Sequence, residues 1–183
     1  MPAGGLRHSS THLVSIHASQ YWRAMPAALA EAAKRASEEK AAAIKRTLEV
    51  ERSEIELQSR HLEAARAVNQ SALQAAKARG DEAAALQAAN ALRQNEADQL
   101  ALLARAKRAE ATAIQQAVAA RREELAAIGP LTQAHASELR AAENQAKSLR
   151  VQAAAADQAA GRARDMGAAV QQAGQQSQQS AQG

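Results

Sequence analysis

Apolar side chains recur at steps of three or four residues along most of this chain, which is the spacing of one face of an α-helix. Leu48, Ile55 and Leu62 are seven residues apart in the first half, and Leu139 and Leu149 lie on a similar stripe near the end. Since such a stripe must be covered by another helix, the pattern predicts an all-α protein made of long coiled-coil helices.

Glycine and proline divide the pattern into about three helices. Pro26 suits a first helical turn, and no glycine or proline occurs between it and Gly80. Gly80 can adopt the left-handed conformation that ends a helix, and Asp81 can cap the next one. The pair Gly129-Pro130 opposes continuation of the second helix. The predicted helices span residues 27–79, 82–128 and 131–164.

Both ends of the chain differ in composition from this coiled-coil region, residues 26–164. Residues 1–25 mix glycine, serine, threonine and histidine without a long period, and we expect a loosely structured segment there. Beyond residue 164, Gly167 precedes a stretch, residues 171–183, in which 7 of 13 residues are glutamine and which contains Gly174. Residues 165–183 are therefore predicted to form a flexible tail.

The seam of the first helix follows a seven-residue frame with polar interruptions. Glu51 and Gln58 interrupt the interleaved positions, and Asn69 lies on the seam itself. A buried asparagine can fix the register of a coiled coil, and a solvated seam explains the same residue equally well. The frame consists of Ala41, Leu48, Ile55, Leu62, Asn69 and Ala76, with Ile44, Ala65 and Ala72 between them.

The second helix fits two periods, which imply opposite supercoil hands, and the sequence does not decide between them. One is an eleven-residue series of Leu92, Leu103, Ile114 and Leu125. The other is a heptad frame through Ala97, Leu100, Ala104, Ala111, Ile114, Val118, Leu125 and Ile128.

The third helix keeps strict heptad spacing with mostly small residues, which let helix backbones approach closely. Its frame is Leu139, Ala142, Ala146, Leu149, Ala153, Ala156, Ala160 and Ala163. Across the three helices, the residues predicted to form coiled-coil seams are Leu48, Ile55, Leu62, Asn69, Leu92, Leu100, Leu103, Ile114, Val118, Leu125, Ile128, Leu139 and Leu149.

Composition changes the expected core. The 183 residues include 53 alanines, 16 leucines, 5 isoleucines and 6 valines, with no phenylalanine and no cysteine. Because each buried alanine removes little apolar area from water, a compact interior of the kind found in enzymes is not expected. Helices of about 50 residues would be on the order of 75 Å long. We therefore expect an elongated rather than globular molecule whose seams are covered by folding back or by self-association.

Candidate chemistry is sparse. His8, His12 and His17 lie near one another in sequence, but no acidic or cysteine ligand accompanies them, and His61 and His135 are isolated. No phosphate-binding loop or nucleophile motif is present. The sequence therefore predicts no catalytic, cofactor-binding or metal site and no enzymatic activity.

Charge does not indicate a nucleic-acid or membrane partner. The formal net charge is +4 from 23 basic and 19 acidic residues, spread along the chain rather than clustered. Pairs such as Glu31–Arg35 and Glu56–Arg60 have the i, i+4 spacing of an exposed helix face. We expect no specific nucleic-acid binding. No run of 18 apolar residues occurs, so no transmembrane segment is predicted.

Residues 79–160 consist of alanine-rich helices punctuated by arginine, with a glycine-proline joint, as in ALLARAKRAEATAIQQAVAARREELAAIGPL. This stretch resembles the coiled-coil interior of tail tape measure proteins of long-tailed phages and prophages. The resemblance implies an elongated helical oligomer in the tail lumen, which sets tail length by its own length and leaves when DNA is ejected.

Together these observations lead us to expect a structural coiled-coil protein. The resemblance makes this more specific: a tape measure-like component or fragment that acts in phage tail assembly and length determination. The implied partners are further copies of the chain or other coiled-coil and tail proteins. The implied location is the virion tail, or the host cytoplasm during assembly. The alternative is a coiled-coil adaptor or stalk of a secretion system or cell envelope. For a chain that is not phage-derived, we expect a cytoplasmic location.

Overall fold

The computed structural model describes the backbone of residues 11–181 and the side chains of residues 27–176. Three helices make up nearly all of it: α1 (Thr11–Arg79), α2 (Glu82–Ile128) and α3 (Gln133–Ala181). No strand occurs within residues 11–181. The all-α prediction with helix joints at Gly80 and Gly129-Pro130 is confirmed.

The first joint is a tight turn that reverses the chain direction, as the Gly80-Asp81 pair predicts. Gly80 has φ 71°, and its N–H donates to the carbonyl of Lys77 over 3.1 Å, while Asp81 N–H donates to Ala76 over 3.0 Å. These two bonds form a Schellman motif, which requires the left-handed glycine. The Asp81 carboxylate then accepts from Ala84 N–H at 2.9 Å and caps α2.

The second joint ends one helix and caps the next within four residues. Gly129 has φ 154°, and its N–H still donates to the carbonyl of Leu125 over 3.1 Å. Pro130 has no N–H with which to continue α2. The Thr132 hydroxyl accepts from His135 N–H at 3.2 Å, so Thr132 caps α3, which begins at Gln133 rather than at residue 131.

Both outer ends of the helical region differ from the sequence prediction. The segment predicted to be loose is helical from Thr11, and Pro26 lies inside α1 rather than in its first turn. Residues 11–25 contain neither glycine nor proline to stop the helix. A proline inside a helix removes one backbone hydrogen bond, a cost that the rest of this 69-residue helix offsets.

The predicted flexible tail is also helical, because α3 continues to Ala181 instead of ending at residue 164. Glutamine and alanine both favour helix, and α2 lies alongside this part of α3. The Arg164 guanidinium contacts the Asp98 carboxylate at 3.3 Å, and Gly174 lies against Leu86. These contacts stabilise a stretch whose glycines alone would fray it.

The helices fold back on one another with α2 in the middle. α2 packs against both α1 and α3, whereas no Cα of α1 comes within 8 Å of a Cα of α3 among the described residues. Both connections are short, so neighbouring helices are antiparallel. α2 therefore has two covered faces, and α1 and α3 each have one.

Candidate functional site

The best-packed surface of the molecule is an alanine seam between α2 and α3. Ala104 packs with Ala153, and Ala111 packs with Ala146, all four at most 1% exposed. The two pairs have the register of an antiparallel pair, since seven residues forward on α2 match seven residues backward on α3. Small side chains seven residues apart let the two backbones approach closely in this part of the contact.

Larger side chains close the seam at the end near the second joint. Val118 and Leu125 of α2 pack with Leu139 of α3, and Ile114 bridges this cluster and the neighbouring one that contains Leu149. The buried positions of α2 therefore follow the heptad frame rather than the eleven-residue series. In α3, every predicted seam position from Leu139 to Ala163 is buried or half-buried.

The predicted seam residues differ in how far they are covered. Val118, Leu125, Leu139 and Leu149 are buried, and a larger group is half-buried: Leu48, Ile55, Leu62, Asn69, Leu92, Leu100 and Ile114. Leu103 and Ile128 are exposed, by 48% and 57%, and lie outside the seams. Leu103 borders a groove beside Arg66 and Gln70 of α1, and Ile128 is the last residue of α2.

The inner face of α1 follows most of the predicted heptad frame. Seven frame positions are half-buried or buried: Ile44, Leu48, Ile55, Leu62, Ala65, Asn69 and Ala76. Ala41 and Ala72, which also belong to the predicted frame, are exposed, while Ser37 and Leu73 outside it are half-buried.

The contact between α1 and α2 is more polar than the alanine seam. Glu51 and Asn69 lie half-buried on the inner face of α1, and Ala76 is its one fully buried side chain within residues 27–79. Arg105 of α2 reaches Glu51 at 3.5 Å and Glu54 at 3.0 Å. Such partly exposed ion pairs contribute only about 0 to 1 kcal/mol each. They set register more than they add stability.

Charged pairs also connect α2 to α3 beside the alanine seam. Arg108 pairs with Asp157, and Arg122 pairs with Glu143. The two arginines are fourteen residues apart on α2, and their partners are fourteen residues apart in the opposite direction on α3, so these pairs have the same antiparallel direction as the alanines. The predicted pairs within α1, Glu31–Arg35 at 3.5 Å and Glu56–Arg60, are both present.

A buried carboxylate joins α1 to α2 near the second joint, and sequence reasoning did not single it out. Glu124 accepts a hydrogen bond from Arg121 over 2.6 Å. That bond, a further one from the Ser37 hydroxyl and the nearby Lys34 ammonium lower the pKa of Glu124, although burial acts in the opposite direction. The signal in the sequence was an acidic pair, Glu123-Glu124, directly before the heptad position Leu125.

No arrangement suited to catalysis or metal binding emerges from the described residues. The grooves lie mainly between α1 and α2; one of about 440 Å³ is lined by Arg66, Arg93, Glu96 and neighbouring leucines and glutamines. No group of three His, Asp or Glu side chains within residues 27–176 could hold a metal ion. The side chains of His8, His12 and His17 lie outside the described residues, and His61 is exposed on α1.

Comparison with protein-family models, with curated proteins and with solved structures finds no match to this chain. Among the described residues, no helix combines the length and apolar character needed to cross a membrane. The residues that distinguish the molecule are therefore those of its helix faces: the alanine seam, the polar α1–α2 contact, and the outer face of α1, where Val50, Leu57 and Val68 are exposed.

Proposed function

We propose that this chain is a structural protein that acts through the length and the surfaces of its helices, as a tape measure-like component or fragment in phage tail assembly and length determination. The observation that carries the proposal is the alanine seam, in which Ala104, Ala111, Ala146 and Ala153 keep one register over several turns. A seam of this kind supports long, thin helices rather than an enclosed site.

Helix length supports an elongated molecule. α2 and α3 have 47 and 49 residues, and α1 has 69. At a rise of about 1.5 Å per residue these helices are roughly 70, 75 and 105 Å long. A 19.2 kDa chain with such helices would be rod-like in solution. Small-angle scattering tests this: a maximum dimension near that of α1 is expected.

The proposed partners are further copies of this chain and other coiled-coil or tail proteins, in the virion tail or in the host cytoplasm during assembly. The resemblance of residues 79–160 to tape measure coiled coils supports this choice. We propose no enzymatic activity, since the grooves between α1 and α2 are lined by a mixture of leucine, alanine, arginine, glutamate and glutamine side chains along the helix faces.

One observation favours a second candidate, a coiled-coil adaptor or stalk of a secretion system or cell envelope. The three helices cover their inner faces within a single chain, by two antiparallel reversals at Gly80 and Gly129. A tape measure works by its extended length, whereas a folded-back hairpin presents its ends and outer faces to partners. The two candidates therefore differ in whether chain length controls the size of an assembly.

Tail length is the readout that separates them. Deleting residues 104–110 together with residues 147–153 removes one heptad from each strand of the alanine seam and keeps the remaining register. If the chain measures length while extended, tails should shorten by about 21 Å, which is 14 residues at 1.5 Å each. The exposed substitution Gln172→Ala, which leaves length unchanged, is the control. Unchanged tails, or tails that lack the chain, would favour the adaptor.

A further inference from the structure

α1 carries a second stripe of side chains that stay exposed, although Glu54 of this stripe reaches Arg105 of α2 and His61 borders a groove shared with α2. Its spacing is symmetric about Val50: steps of four, three, four, three and four residues run outward in both directions. On a helix these steps keep all the side chains on one face. All eleven are exposed: Ala32, Ala36, Glu39, Ala43, Arg46, Val50, Glu54, Leu57, His61, Ala64 and Val68.

We propose that this stripe binds the same stripe of a second copy of the chain, with the two α1 helices antiparallel and the two-fold axis at Val50. The inference rests on the proposed homo-oligomer and names its surface and orientation. A symmetric dimer needs a self-complementary surface, in which each residue meets a suitable partner from the same patch. The stripe meets this condition at every pair of residues that would face each other across the dimer, which are referred to as its levels.

Nearest the axis, the levels combine opposite charges and unequal sizes. Val50 would meet Val50 of the second copy, Arg46 would face Glu54, and Ala43 would face Leu57. The Glu54 carboxylate is oriented by Arg105 and remains more than half exposed, so it is accessible to a second guanidinium. An alanine opposite a leucine gives the leucine room to pack.

The outer levels are compatible as well. Glu39 would face His61, whose imidazole N–H can donate to a carboxylate. Ala36 would face Ala64, where two small residues allow close approach. Acidic residues thus meet basic or donor groups, and apolar residues meet apolar ones; the outermost level pairs Ala32 with Val68.

One pair of like charges that this arrangement places at the same height, Lys40 and Arg60, is already paired within the chain. Lys40 is turned to Glu123 of α2 and Arg60 to Glu56 of α1. Neither cation therefore faces the other without a counter-charge. Charge complementarity favours this antiparallel register.

The oligomeric state of variants at Val50 tests whether this stripe forms the dimer interface. Val50→Glu places two carboxylates opposite each other at the axis, and it should weaken the dimer at least about tenfold in sedimentation equilibrium. Val151→Glu is the matched control, because Val151 is exposed on α3 to a similar extent, 70% against 62% for Val50. It should dimerise like the unmodified chain. A Val50→Glu protein that dimerises normally would overturn the proposal.

Disulfide trapping tests the orientation, and the absence of native cysteine gives a clean background. Val50→Cys alone should form a covalent dimer. A mixture of Ala43→Cys and Leu57→Cys chains should cross-link, while neither variant should cross-link by itself. A Leu57→Cys chain that forms its own covalent dimer would indicate parallel helices and contradict the proposal.

The outcome is separable from that of the proposed function. A chain that stays monomeric at high micromolar concentration would overturn both the surface and the homo-oligomer. A dimer that is insensitive to Val50→Glu would overturn the surface alone. Tail length after the paired heptad deletion does not depend on which α1 face is used, so it tests the tape measure proposal independently.

Discussion

Ala104 and Ala153 pack against each other at the centre of the α2–α3 contact, 0% and 1% exposed. Neither has an atom beyond Cβ, so the contact brings two backbones together rather than two side chains. Alanine at these positions is thus a core residue whose small side chain allows the helices to approach closely. The abundance of alanine, which argues against a conventional core, is what allows long helices to pack closely.

Enlarging one seam alanine should destabilise the protein. Ala153→Leu inserts three carbons where no space exists, and overpacking of this kind costs about 1–3 kcal/mol. Ala154→Leu makes the same change at an exposed neighbour. It should shift the free energy of unfolding by less than about 0.5 kcal/mol. Urea unfolding followed by circular dichroism measures both; equal effects would contradict the packed seam.

Two glycines of α3 should respond in different ways to the same substitution. A Cβ at Gly161 would have no atom within 4 Å, apart from its own helix. Gly161→Ala should therefore stabilise the protein by about 0.5–1 kcal/mol through helix propensity. A Cβ at Gly174 would clash with Leu86 Cδ2. Gly174→Ala should gain less, because Leu86 must move.

Thermal unfolding of the two variants checks this contrast. A larger gain for Gly174→Ala than for Gly161→Ala would mean that α3 does not pack on Leu86. It would also support the flexible tail that the glutamine-rich sequence predicted.

The first joint should depend on its glycine. Gly80 has φ 71° with open space around it, so an alanine there would be strained without any clash. Gly80→Ala should cost about 1–2 kcal/mol. Gly161→Ala is the natural control, since the same substitution in a helical position should have the opposite sign. Unchanged stability of Gly80→Ala in chemical denaturation would contradict the Schellman turn.

Glu124 should make the free energy of unfolding depend on pH in the acidic range. Its pKa is lowered in the folded protein, chiefly by the Arg121 hydrogen bond, so it stabilises the fold above its unfolded pKa of about 4.3 and less as pH falls below that value. Glu124→Gln should be less stable than the unmodified chain at neutral pH, and the difference should shrink at pH 3.

Glu63→Gln, a substitution at an exposed acid, serves as the control for this titration. Urea midpoints at the two pH values are the measurement. If the deficit of Glu124→Gln were the same at both pH values, the hydrogen-bonded carboxylate would have no part in it.

The sequence identified the joints and the α3 seam because both depend on local chemistry. Gly80-Asp81 and Gly129-Pro130 restrict the backbone in ways that any context preserves, and the alanine heptads of α3 match the partner they meet. The positions of Leu103 and Ala41 could not be obtained in this way. Each depends on where a neighbouring helix lies, which one-dimensional periodicity does not contain.

The C-terminal extension of α3 and Glu124 were missed for the same reason. α2 offers Asp98 and Leu86 beside the extended part of α3, and neither contact can be inferred from the glutamine-rich segment itself. Glu124 meets Ser37 only through the antiparallel register of α1 and α2. Both features depend on tertiary partners in addition to local propensity.

The most direct test of the folded-back architecture is a distance between spin labels at Gln87 of α2 and Gln172 of α3, both exposed in this cysteine-free chain. Pulsed electron resonance, with labelled chains diluted in unlabelled protein, would report it. Packed helices lie about 8–10 Å apart, so with linkers the expected label distance is under about 30 Å. Helices running straight on would separate these residues by about 130 Å, and a population without short distances would contradict the account.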